Sequence, residues 1–353
     1  MFGGDVKTPG VVLTYASSAK ELDLSSGSYG SVDFTSGDKL IINTITDQLT
    51  IKDGANNIDA FITASGAKVL GNSYTGTATL YIGGSESKEG VITAGNQDLS
   101  VNLDNSNMSA IKGDVVFINT SGDVTFANQA AFANKKVDLK GKAEADINAK
   151  ITITSLTDTT TGTPDNTADL NDLFENAASG DTVKATLNSA VKAVVLTNAT
   201  ETVKLDASSE KVVFTSFTQG TDKIDYAAVN TTLTGTDAST VVKDAKTTSE
   251  TGLQGKEVFY VDLSTVAFKN TVTKASELEG ISKAFKDAST TFASGADTKK
   301  ATLVVKHSDK TALYELTADG TAGLADDGVK IIATIDSAVA DIAAAQGLFG
   351  TLA

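Results

Sequence analysis

The sequence predicts a mostly β protein: a β-solenoid body, like a parallel β-helix, followed by a mixed β/α C-terminal domain. Three observations lead there. Apolar–polar–apolar triplets recur through roughly the first 220 residues, the first four begin about nine or ten residues apart, and the pieces between them are rich in Gly, Asn, Asp and Ser. In such a triplet the two apolar residues share one side of a strand and the polar residue faces the other. Gly, Asn and Asp accept the tight backbone angles that turns require.

The units include Leu22–Asp23–Leu24, Val32–Asp33–Phe34, Leu40–Ile41–Ile42 and Leu49–Thr50–Ile51, then Val101–Asn102–Leu103, Val124–Thr125–Phe126, Val137–Asp138–Leu139 and Val203–Lys204–Leu205, the middle residue being polar in all but Leu40–Ile41–Ile42. SSGSYG, SGDK, KDGANN and SGDV separate them. Each strand offers one or two apolar side chains per face, which suits the narrow interior of a solenoid. The alternative is a set of stacked β-sandwich domains, whose strands normally alternate for longer, as the isolated run Ala78–Thr79–Leu80–Tyr81–Ile82 does. Thr supplies β-branched strand residues that also tolerate water.

Four segments result: a body over 1–154, a loop and short helix over 155–181 serving as boundary or cap, further short strands over 182–220, and a C-terminal β/α domain over 221–353. In the second segment Leu170, Leu173 and Phe174 can share a helical face that Gly180 terminates. The fourth begins with a strand within KEVFYVDLSTVAFKN. A helix is expected over ASELEGISKAFKDAS, with Ser276 and Glu279 at capping-box spacing and Leu278, Ile281 and Phe285 on one face. ATLVVKH and TALYELTADG form a hairpin, VKIIATI another strand, and DSAVADIAAAQG a terminal helix capped by Asp336.

Composition removes much chemistry. The 353 residues include no Cys, no Trp and a single His. Thiol nucleophiles, zinc–thiolate sites, disulfides and centres built from several imidazoles are therefore excluded. The balance of 44 acidic against 29 basic residues, a formal charge of -15, sets the chain against the nucleic-acid backbone. No run approaches the eighteen or so apolar residues of a membrane span, and MFGGDVKTPGVVLTY lacks the basic and apolar regions of a standard secretory leader. Absence of cysteine suits the cytoplasm and an extracellular bacterial protein equally.

The segment Phe214-Thr-Ser-Phe217-Thr-Gln-Gly220-Thr-Asp222-Lys-Ile-Asp225-Tyr resembles the opening of the C-terminal module of bacterial proteins exported by type I secretion. That module follows calcium-binding glycine-rich repeats in RTX proteins and closes several surface-layer proteins. Residues 311–335, TALYELTADGTAGLADDGVKIIATI, resemble its closing hairpin, and AVADIAAAQGLFGTLA is similar to an uncleaved C-terminal export signal. Tandem GGxGxDxUx repeats are missing: Gly83–Gly84 is followed by SESKEG. The resemblance therefore favours a Gram-negative surface-layer subunit over an RTX toxin or protease. It implies an extracellular, cell-surface location, assembly with copies of itself in a lattice, calcium as an assembly ion, and lipopolysaccharide or another surface component as anchor.

Asp222 and Asp225 are the candidate calcium ligands, since Ca²⁺ takes hard oxygen donors. The competing reading makes Asp222 a turn residue and Asp225 a strand flank. Asp326 and Asp327 are a weaker acidic pair. His307, beside Ser308 and Asp309, reads as a surface histidine, because sequence neighbours rarely converge into a triad. No catalytic residue and no cofactor-binding loop is identified. The sequence thus predicts a non-enzymatic lattice subunit, with a secreted adhesin or matrix protein that binds cells or glycans as the alternative. A polysaccharide-degrading enzyme is less favoured, because no Trp offers a sugar-stacking platform. The Asn-x-Ser/Thr matches at Asn107, Asn119, Asn198 and Asn230 are expected in a chain this rich in Ser and Thr.

Overall fold

A computed structural model describes backbone and side chains over 150–159, 165–226, 242–246, 258–285, 301–317 and 328–350, with Leu139 and Val229, and the backbone of the strands named below N-terminal to residue 150. The protein is mostly β, with mixed sheets, and divides into two compact units. The first comprises 1–163, 170–185 and 197–200; the second comprises 164–169, 186–196 and 201–353.

In the first unit a parallel sheet runs in the order Gly10–Thr14, Lys39–Ile45, Ile58–Ile62, Ala78–Ile82, Val115–Phe117, Val137–Asp138 and Phe174–Glu175. Strands between these in sequence pair with one another instead. Glu21–Leu22, Gln48–Ile51 and Lys68–Gly71 form one parallel set, and Leu99–Val101, Val124–Phe126 and Lys150–Leu156 another. Neighbours along the sheet are thus separated in the chain by one to three other strands, among them the short antiparallel pairs Ser28–Tyr29 with Val32–Asp33 and Ser85–Glu86 with Ile92–Thr93. Register stacks like on like, with Val124 opposite Ile151 and Phe126 opposite Ile153. In Lys150–Leu156 the residues Ile151, Ile153 and Leu156 are buried while Lys150 and Thr154 face solvent, the period-2 pattern of a strand with one covered face.

The second unit is built on an eight-stranded sheet in the order Thr167–Asp169, Ala193–Val195, Val212–Thr215, Gly328–Ile335, Thr311–Thr317, Lys300–Lys306, Val258–Asp262 and Val242–Asp244. The first four are mutually parallel, and the last three are parallel to one another. Thr311–Thr317 runs antiparallel to both of its neighbours. The hairpins expected around TALYELTADG and VKIIATI are therefore present. Their strands are buried on both faces, six of the seven residues of Thr311–Thr317 being inside. One face carries Phe259, Val261, Leu303, Val305, Tyr314, Leu316 and Ile331, covered by Ala275, Leu278, Ile281 and Phe285. Phe259 and Phe285 meet at 5.9 Å between ring centroids.

Helical expectations need correction. Over 275–285, the described part of the helix expected at 275–289, there is a 3-10 turn at Ala275–Glu277 and a four-residue helix at Ile281–Ala284, and 286–289 lie outside the described residues. Gly280 lies between them at φ +84°, a left-handed conformation that interrupts the helix. Leu278, Ile281 and Phe285 still bury together. The capping group is Glu277, not the Ser276/Glu279 pair: its carboxylate accepts the Thr273 and Lys274 amides at 2.6 and 3.1 Å. The helix expected over 170–174 is the 3-10 turn Leu170–Asp172 followed by the bridge Phe174–Glu175. The terminal helix covers only Ile342–Gln346, and Asp341, not Asp336, caps it through the Ala344 amide at 2.9 Å. KEVFYVDLSTVAFKN contributes the strand Val258–Asp262 and then an extended loop. No helix among the described residues is long and apolar enough to cross a membrane.

Candidate functional site

The segment Phe214–Tyr226 is held by contacts that use nearly every residue of its motif. Phe214 ends the buried part of Val212–Thr215, and its ring meets Phe217 edge-on at 6.2 Å. The chain then turns. Thr218 O accepts the amides of Thr221 and Asp222 at 3.1 and 2.9 Å, and Gly220 takes φ +85°. A side chain at Gly220 would meet no atom within 4 Å, so the backbone angle, not crowding, calls for glycine there.

Asp222 is fully buried. One carboxylate oxygen accepts the Thr218 amide at 2.6 Å and the other the Glu201 amide at 3.1 Å. A single side chain thus closes its own turn and ties that turn to the strand Thr200–Lys204, which Lys223–Asp225 then joins in parallel. Asp225, also buried, gives its carbonyl to the Leu205 amide at 3.0 Å. Among the described residues no group of three or more His, Asp or Glu side chains gathers to hold a metal. Asp326 and Asp327 lie outside the described residues, as do Asn107, Asn119 and Asn230; Asn198 is exposed.

The same segment grips the end of the chain. The Ser216 amide donates to Asp336 Oδ2 at 3.0 Å, and Gln219 Nε2 donates to Ser337 Oγ and the Ala338 carbonyl, both at 3.0 Å. Lys223 Nζ donates to the carbonyls of Gly220 and Gly347. Ile224 forms a parallel bridge with Phe349: its amide donates to Leu348 O at 2.7 Å, and its carbonyl accepts the Gly350 amide at 3.2 Å. Tyr226 and Phe349 meet edge-on at 6.4 Å. Gly350 is tight by necessity, because a Cβ there would lie 2.7 Å from Lys223 Cβ. Two of the three stretches that carried the resemblance, Phe214–Tyr226 and the C-terminal AVADIAAAQGLFGTLA, are thus bonded directly to each other. The sequence does not reveal these roles of Gln219, Asp336 and Gly350, because each acts on a residue more than a hundred positions away, and Asp336 reads there as a helix cap instead.

His307 corrects its own expectation. It is 1 % exposed, not on the surface, and burial holds its pKa below the ordinary histidine value. Its neighbours are Val266, Phe268 and Tyr314, with no Ser308–His307–Asp309 relay. Asp309 spends its carboxylate on the Phe268 amide at 3.0 Å. At Tyr260, burial, then Asp262, Asp341 and Asp244, push the phenol up to about 12.

The chain matches no protein-family model, and no curated protein or solved structure matches it.

Proposed function

We propose that the chain is a structural subunit of an extracellular bacterial surface layer, with a parallel β-solenoid body, that self-assembles into a two-dimensional lattice with calcium as the bridging ion. The observation that carries this reading is the clasp between Gly220–Asp225 and Gly347–Gly350. Contact between them suits a module that opens on the first segment and ends on the second. The solenoid reading is supported by the parallel pairing of the longer strands in the first unit, where the two-residue pairs Ser28–Tyr29/Val32–Asp33 and Ser85–Glu86/Ile92–Thr93 run antiparallel. A sandwich of hairpins would instead pair consecutive strands antiparallel.

In this reading the function lies in repeated surface contacts, with no reacting pocket. A charge of -15 opposes close approach of copies, and divalent cations between surface carboxylates relieve that repulsion. Asp222 has a structural job, supported by its two amide contacts, and lattice calcium belongs to carboxylates at the surface. Export by a type I apparatus and anchoring to lipopolysaccharide complete the proposal. Electron microscopy of the purified chain tests it. Ordered sheets are expected with calcium and dispersed protein with a chelator. A monomer that persists in calcium and binds cells or glycans would replace the lattice with an adhesin, and turnover of a polysaccharide would make the protein an enzyme.

A further inference from the structure

The only histidine of the chain sits inside, where two separate stretches meet. His307 follows the strand Lys300–Lys306 and starts the turn into Thr311–Thr317; its amide closes that turn on Lys310 O at 2.8 Å. Above the ring lies the loop after Val258–Asp262. Val266 O is 3.3 Å from Nδ1, and the Phe268 ring stands edge-on at 5.6 Å. On the other side, the Tyr314 hydroxyl is 3.1 Å from Nε2.

These partners assign the tautomer. A carbonyl only accepts, so Nδ1 carries the hydrogen. Burial, then Asp309, keep the Tyr314 phenol protonated far above the ordinary range, so its hydroxyl donates to Nε2. Neutral imidazole satisfies all three groups. A second proton, on Nε2, would force the Tyr314 hydroxyl to turn from donor to acceptor and place a cation in a site with 1 % exposure.

The ring sits at the centre of the contacts that fasten loop to turn. Leu263 N donates to Lys306 O at 2.9 Å, Ser308 N to Val266 O at 3.1 Å, and Phe268 N to Asp309 Oδ1 at 3.0 Å, while Lys310 Nζ lies 5.2 Å from the Phe268 ring centroid. Among the described residues the charged groups that act on the ring are those of the turn: Asp309 favours a proton and Lys310 opposes it. Loop residues 263–268 carry no charge, Lys306 reaches away to Ala340 O, and Thr311–Thr317 presents Tyr314. With one charge of each sign, burial decides.

We propose that His307 is an acid-sensitive latch: its neutral ring fastens the loop Leu263–Phe268 to the turn His307–Thr311, and protonation releases that loop. Because the folded state holds the proton less tightly than the unfolded chain, the latch is fully stabilising above pH about 6.5 and weakens as pH falls through that value toward the folded pKa. At pH 5.5 the loss in folding constant is capped at about tenfold, the limit set by an unfolded histidine of pKa about 6.5.

One histidine gives one imidazole signal, so nuclear magnetic resonance of the full chain reads the latch directly. The ring is expected as the Nδ1–H tautomer, titrating below the ordinary value. The Phe268 and Ser308 amides should exchange faster in step with that titration, after correction for the intrinsic pH dependence of exchange, while the Ile224 amide does not. Lys310→Gln should raise the ring's pKa and Asp309→Asn should lower it. In His307→Gln the acid-dependent step at Phe268 should vanish. A ring that titrates at or above the ordinary value, or Phe268 and Ser308 amides indifferent to its titration, overturns the proposal. Both readouts use the unmodified chain, so they decide even if a variant fails to fold.

Discussion

Replacing Asp222 with Ala removes the acceptor of two amides in different segments, Thr218 in its own turn and Glu201 in the adjoining strand. Asp222 and Glu201 are both fully buried, so water does not take over the acceptor role toward the Glu201 amide. An orphaned buried donor costs about 1–3 kcal/mol, and bonds to a carboxylate lie in the upper part of that range. The Glu201 amide is such a donor, whereas the Thr218 amide lies in an exposed residue and regains water, so the two give about 2–4 kcal/mol. Relief of the carboxylate's own desolvation returns part of this, so the expected net loss is about 1–3 kcal/mol. Asp222→Asn keeps one accepting oxygen but turns an NH₂ toward a second donor, and should lose about half as much. Urea unfolding followed by near-ultraviolet circular dichroism of the tyrosines measures both variants, each with calcium and with chelator. Equal losses in the two conditions are expected of a structural acceptor. A loss within about 0.5 kcal/mol of zero, or one that appears only with calcium, refutes the reasoning; the second result would make Asp222 a calcium ligand.

Gly350→Ala should push the Lys223 side chain aside and loosen the terminal clasp, read as faster hydrogen exchange at the Ile224 amide with the Phe268 amide unchanged. Tyr226→Phe should leave stability unchanged or slightly raised: the hydroxyl is buried beside Thr302 without hydrogen-bonding geometry, and burial raises its pKa far above the usual phenol range. A loss above about 1 kcal/mol in thermal unfolding would show a bond to that hydroxyl. Phe214→Ala, at a fully buried ring packed on Phe217, should cost about 3–5 kcal/mol in urea unfolding, whereas Val213→Ala on the exposed side of the same strand should cost under about 1 kcal/mol.

Local features were the legible ones. Triplets such as Val124–Thr125–Phe126 and Val203–Lys204–Leu205 mark strands because side-chain alternation is written within three residues. The hairpin strands Lys300–Lys306 and Thr311–Thr317 were recognisable because a short polar turn separates two apolar runs. The helical period of Leu278, Ile281 and Phe285 identified a buried face correctly but not a continuous helix: Gly280 costs about 1 kcal/mol inside a helix and takes a left-handed angle here. His307 looked exposed because VVKHSD ends a strand in polar residues, yet Phe268 and Val266, forty positions earlier, cover it. For the candidate site, GTDKID was visible as a motif while its partner was not. A parallel bridge from Ile224 to Phe349 has no local signature, and Gly350 reveals its role only when Lys223 stands against it.

Sedimentation velocity of the full chain across a calcium titration tests the lattice most directly. The account predicts a monomer in chelator that passes, as calcium rises, into large assemblies and returns to monomer when chelator is restored. A single monomer boundary at every calcium concentration would contradict it.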